Sequence, residues 1–118
     1  MAQTLPPVHP GEVLLEDFMK PLGLSESSLA KDIGVSTLRI KQIVTGKNAM
    51  TVDSALRLAR YFNMSAAVWL RLQVRYDLEV AERKLSKQIN REVKALRRPV
   101  DKLNSRNKTI VTAQAGQL

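Results

Sequence analysis

Residues Glu26–Thr45 read ESSLAKDIGVSTLRIKQIVT, and the spacing of the apolar positions in this stretch decides the fold. Leu29 and Ile33 are four apart and share one face of a helix. Ile40 and Ile43 are three apart and share a face of a second helix. Ala30 is small enough to let the two helices cross closely, and Val35 completes the apolar set. Gly34 lies between the helices and suits a turn with positive φ, a conformation that costs more for any residue with a Cβ. Ser25 is placed to N-cap the first helix and Ser36 the second. Two short helices at a steep angle, joined by a tight turn containing glycine, make a helix-turn-helix whose second helix can enter a DNA major groove.

With Ile40 and Ile43 pointing inward, the opposite face of the second helix carries Ser36, Thr37, Leu38, Arg39, Lys41, Gln42 and Thr45. Residues at the N-terminal end of a recognition helix reach base edges first. Thr37, Arg39 and Gln42 are therefore the candidate base readers, since Arg pairs bidentately with guanine and Gln with adenine. Lys41, Thr45 and Lys47 are better placed for phosphates, contacts that position a protein without reading sequence. The competing interpretation of each residue is the solvated polar face of an ordinary surface helix.

Composition agrees with this direction. The chain has 118 residues, one domain's worth, and a formal net charge of +8, which favours an anionic partner such as nucleic acid. There is no cysteine, which excludes disulfides and thiolate metal sites. The apolar runs are too short to span a bilayer, and MAQTLPPVHPG lacks the plan of a signal peptide, so a cytoplasmic protein without a membrane partner is expected. The few aromatic residues mostly fall on helical apolar stripes, which fits a core better than base stacking.

Residues 1–8 read as a loose arm; no Arg or Lys precedes Lys20 to make it a minor-groove arm. At His9-Pro10-Gly11-Glu12 a helix starts, with His9 near the N-cap and Pro10 at the first helical position. This helix is expected to run to about Lys20, with Val13, Leu14, Phe18 and Leu22 facing inward and Pro21 and Gly23 closing it. Gly46-Lys47-Asn48 marks a stop, and Thr51 caps a fourth helix. There Val52, Ala55, Leu56, Ala59 and Phe62 are expected to pack on the motif, with Asn63 as the end and Asp53 and Arg57 paired locally. Ser65 starts a fifth helix, in which Val68, Trp69, Leu72 and Tyr76 form a stripe that Leu85, Ile89, Val93 and Leu96 continue. Nothing interrupts it before Pro99, so it would be about 50 Å long if it did not break near Ser86. Its second half is basic, with Arg83, Lys84, Lys87, Arg91, Lys94, Arg97 and Arg98, which is either a solvated charged face or a surface for a DNA backbone or an acidic partner. Residues 99–118 lose the pattern and read as a mobile tail.

The run from His9 to Ala81 resembles the HigA family of antitoxins, which belong to the phage-repressor-like (Xre-type) helix-turn-helix proteins. The resemblance rests on His9-Pro10-Gly11-Glu12, Gly34-Val35-Ser36, Gly46 with Ala55-Leu56-Arg57-Leu58-Ala59, and Trp69-Leu70-Arg71-Leu72-Gln73 before Tyr76-Asp77-Leu78. It implies an all-α, five-helix phage-repressor-like domain over residues 9–81, here followed by a long C-terminal helical extension over 82–98. It further implies a homodimer that binds a palindromic operator in its own operon and neutralises a RelE-like, mRNA-cleaving ribonuclease toxin. The family's recognition positions correspond to Ser36, Thr37, Arg39, Lys41 and Gln42, and its dimer contacts to the region of Trp69, Leu72, Gln73 and Tyr76. The extension after Ala81 departs from the compact family pattern.

Three functional classes follow from these features to different degrees. An antitoxin that doubles as an autorepressor follows from the resemblance. A stand-alone Xre-type repressor without a toxin fits the helix-turn-helix equally well. An enzyme needs a convergent set of acid, base or nucleophile. One histidine, no cysteine, no metal-ligand spacing and no glycine-rich phosphate loop leave no catalytic residue, metal site or cofactor to expect.

Overall fold

The computed structural model describes residues 5–96, and within them the regular structure is entirely helical. The first helix, α1, spans residues 10–22 in three consecutive segments: α-helical Pro10–Val13, π-helical Leu14–Met19 and α-helical Lys20–Leu22. It is followed by α2 (Glu26–Ile33), α3 (Thr37–Val44), α4 (Val52–Phe62) and α5 (Ala66–Glu92). Among the described residues, those up to Lys84 form one compact unit and those from Leu85 a second. Arg97, Arg98 and the expected tail at 99–118 lie outside the described residues.

Capping chemistry sets the boundaries. The hydroxyls of Ser25, Ser36 and Thr51 accept from the backbone N–H three residues on, at 3.0–3.1 Å. At the C-terminal ends, Gly23, Gly34 and Asn63 adopt left-handed φ values of 67°, 76° and 55°. The next N–H then bonds back five residues in each case: Leu24 to Met19, Val35 to Ala30 and Met64 to Ala59. This 6→1 closure satisfies carbonyls that the helix leaves open.

Pro21 does not end α1, as the sequence suggested, but lies inside it. A proline lacks an N–H and its ring crowds the carbonyl four residues back. The preceding π-helical turn shifts the hydrogen bonding by one residue, so that Lys20 donates to Leu15. The wider turn also changes the phase of the helix: Met19 is buried, while Leu22, expected inside, is 61% exposed.

The core of the first unit is built from Leu14, Leu29, Ile33, Ile40, Ile43, Leu58 and Trp69, joined by Met50 and Ala55. Phe18 stacks against both Phe62 and Trp69, at ring separations of 4.8 and 5.1 Å. A buried side chain of this kind contributes about 1.5–3 kcal/mol. On α4 the phase differs from expectation. Ala55, Leu58 and Ala59 face inward with Ser54, whereas Val52 and Leu56 are 60% and 58% exposed. Ser54 is tolerated inside because its hydroxyl bonds Thr51. The helix α5 passes Ser86 without a break and ends at Glu92. In the second unit Leu85, Ile89, Val93 and Leu96 are all exposed, and Gln88 donates to Glu92.

The tetrapeptide that opens α1 seats this helix against α3. A Cβ at Gly11 would lie 1.7 Å from the carbonyl oxygen of Ile43 and 2.9 Å from the Cα of Val44. These are backbone atoms and cannot rotate away. His9 secures the same junction. Its Nδ1 accepts from the Gly11 N–H at 2.9 Å, its ring hydrogen-bonds the Asn48 backbone, and Tyr76 packs edge-on at 4.8 Å. Gln73 holds the other side of the same loop, accepting from the Met50 N–H at 2.6 Å and donating to Asp77 at 2.8 Å.

Two outcomes are expected. Gly11→Ala should lower unfolding stability by at least about 3 kcal/mol, measured by denaturant titration, because backbone must move to admit the methyl group; a change below roughly 0.5 kcal/mol would contradict the contact. Burial lowers the pKa of His9 below its ordinary 6.5, outweighing the nearby Asp77 carboxylate. A histidine with a lowered folded pKa binds fewer protons when folded than when unfolded, so its contribution is complete above pH 6.5 and is lost as pH falls through the folded value. Melting temperature should therefore drop on acidification below that pH, and His9→Ala should flatten this part of the profile.

Candidate nucleic-acid interface

The helix pair α2–α3 is locked by a charged network that starts on α3 and ends on the turn. Arg39 Nη1 donates to Asp53 Oδ2 at 2.7 Å, and Arg57 Nε donates to the same oxygen at 2.9 Å. Arg57 Nη1 then donates to the carbonyls of Ile33 and Gly34 at 2.9 and 3.3 Å. One carboxylate thus carries two guanidiniums, and its pKa is lowered by hydrogen bonds from Arg39 and Arg57. The network connects α3, α4 and the turn, and so fixes the angle at which α3 is presented. At about half exposure these pairs add little stability of their own, and their consequence is geometric.

Arg39 was expected to read a base, yet its guanidinium is turned toward α4 and occupied by Asp53, with Ser54 at 3.5 Å. Sequence spacing pairs Asp53 only with Arg57, four residues on; the link to Arg39 spans fourteen residues and forms only where α3 and α4 meet. The remaining candidates are distributed as follows. Thr37 is exposed and its hydroxyl has no hydrogen bond among the described residues. The Ser36 hydroxyl accepts from the Arg39 N–H, which leaves its own proton to give. Gln42 is half-buried, and its carbonyl oxygen takes a bond from Asn48 Nδ2 at 2.8 Å, so only its amide group remains to be offered. Thr45 spends its proton on the Lys41 carbonyl at 2.8 Å and can act only as an acceptor. Lys41 and Lys47 are exposed, with no carboxylate partner among the described residues. Between Thr37 and Lys41, Leu38 is 60% exposed. Sequence reasoning noted Leu38 on this face but gave it no role; an exposed leucine there can contact a thymine methyl group.

The residues named for a dimer surface divide. Trp69 is fully buried and Gln73 nearly so, both inside their own protomer. Trp69 packs on Phe18, and Gln73 is committed to Met50 and Asp77. Leu72 and Tyr76 are half-buried. The outward face of this part of α5 is carried instead by Val74 and Leu78, 63% and 56% exposed and four residues apart. A pattern of threes and fours marks an apolar stripe but cannot separate the side turned to the protomer's own core from one turned to another chain.

Among the described residues no group of His, Cys, Asp or Glu is clustered for a metal, and no helix is long and apolar enough to cross a membrane. The arrangement defines a helix-turn-helix protein of the DNA-binding class. A helix-turn-helix family model matches residues 15–69. Virulence-associated protein I of Dichelobacter nodosus is 50% identical over 78 residues, covering 66% of this chain and 72% of that protein. Antitoxin HigA-1 of Vibrio cholerae is 31% identical over 61% of this chain and 68% of its own length. Among solved structures, the Pseudomonas aeruginosa antitoxin HigA with the higBA promoter superposes with a TM-score of 0.74 at 38% identity, over 76% of this chain and 98% of that one. The chain belongs to the HigA family of helix-turn-helix proteins.

The network predicts how substitutions should behave. Arg39→Ala and Asp53→Ala should weaken operator binding by similar factors without changing which base pairs matter, measured by titration against single-base operator variants. If Arg39 alone relaxes the preference at one base pair, it is a base reader after all.

Proposed function

We propose that this protein is an antitoxin that also represses its own operon. In this account it binds a palindromic operator as a homodimer and neutralises a RelE-like, mRNA-cleaving toxin by direct contact. The observation that carries the DNA half is the free face of α3, where Thr37, Leu38 and Lys41 project from a helix whose orientation is fixed by Gly11 and by the Asp53 network. Support for the antitoxin half comes from the related HigA solved with the higBA promoter. Thr37, Leu38 and the Gln42 amide read bases, while Ser36, Lys41 and Lys47 hold phosphates. Dimerisation uses Val74 and Leu78 with the exposed parts of Leu72 and Tyr76, which sets two half-sites one helical turn, about 34 Å, apart.

The test is co-expression with the neighbouring reading frame, followed by purification and a footprint on the upstream DNA. The expected result is a co-purified protein that is toxic when expressed alone, and protection of an inverted repeat. A footprint with no toxic neighbour would leave a stand-alone repressor. Lys47→Ala should weaken binding evenly across operator variants and reduce the slope of log affinity against log salt by about 1; an unchanged slope would remove Lys47 from the phosphate contacts.

A further inference from the structure

A cleft of about 340 Å³ opens between the C-terminal half of α2 and the outer side of α4, lined by Asp32, Ile33, Arg57, Arg60 and Tyr61. Its walls are held in place by bonds within the protomer. Tyr61 donates to Asp32 Oδ2 at 3.0 Å and packs edge-on to Phe62 at 4.9 Å. Arg57 is engaged through Nε with Asp53 and through Nη1 with the turn carbonyls of Ile33 and Gly34. Arg60 differs: it is exposed, and its guanidinium has no hydrogen bond or ion pair among the described residues. Ile33 and the ring of Tyr61 supply the apolar part of the lining.

We infer that this cleft is a docking site for a protein segment that places a carboxylate on Arg60 and apolar side chains against Ile33 and Tyr61. The inference rests on the antitoxin reading, and the occupant is the toxin. Three features favour a protein over nucleic acid. The site is of mixed sign, because Asp32 lies in the same cleft as Arg60 and would repel a run of phosphates. A protein segment can instead pair an acid with Arg60 and a donor with the second oxygen of Asp32, which takes no bond among the described residues. Arg60 also lies nine residues beyond the N-cap Thr51, roughly 13 Å along α4 from the end that adjoins the Lys47 loop. Finally, an exposed arginine beside a tyrosine held in place by Asp32 brings together two of the side-chain types that dominate protein interfaces.

The experiment uses the full chain and the purified product of the neighbouring reading frame. Affinities of wild type, Arg60→Ala and Arg60→Glu are measured by calorimetry, with thermal melts and operator titrations of each variant as controls. The expected result is binding at least about tenfold weaker for Arg60→Ala, abolished for Arg60→Glu, and operator affinity unchanged. Wild-type affinity in both variants overturns the docking site and leaves the antitoxin reading standing. Operator binding that falls in parallel overturns it too, since the cleft then belongs to the DNA surface. If wild type itself forms no complex, both the site and the antitoxin reading fail. Should Arg60→Glu not melt cooperatively, Arg60→Ala alone decides between these results.

Discussion

The close approach of two backbones, Gly11 on α1 and Ile43 on α3, is the constraint on which the first unit depends. It leaves no room for a side chain at the start of α1, and it sets how far the recognition helix can move. Around it the polar bonds are short-range and directional. His9 closes the N-terminus of α1 and reaches the loop after α3, and Gln73 reaches the same loop from α5. Because those groups are buried, each would be costly to leave unpaired, which makes the junction specific as well as stable.

A second constraint acts at the other end of α3. The Arg39–Asp53–Arg57 network holds the turn between α2 and α3 through its carbonyls. With the glycine contact at one end and the charged network at the other, α3 is held at both ends while its outer face stays open. This arrangement suits a reader of DNA, in which a helix must arrive in the groove already oriented rather than be ordered on binding.

Much of this was legible in the sequence, and the reason is local. Ser25, Ser36, Thr51, Gly34 and Asn63 act on the few residues beside them, so their roles follow from position alone. The residues buried between α2 and α3 were legible because the apolar positions there admit one helical phase. On α4 they do not: VDSALRLARYF offers two stripes, and the one containing Val52 and Leu56 turned out to face solvent. Leu22 was misplaced for a related reason, since the π-helical turn before Pro21 breaks the period on which the expectation relied. The partners of Arg39 and the burial of Trp69 and Gln73 depend on contacts between elements far apart in the chain, which spacing alone does not encode. Likewise His9-Pro10-Gly11-Glu12 read correctly as a helix start, but the contact that requires its glycine lies thirty-two residues away.

The central claim is that the seat of α1 on α3 determines whether the recognition helix can be used. Operator titration of Gly11→Ala, at a temperature where circular dichroism shows the variant folded, tests it most directly. The account predicts operator affinity at least about tenfold below wild type, equivalent to about 1.4 kcal/mol, with helical content retained. A folded variant that binds the operator as tightly as wild type would contradict it.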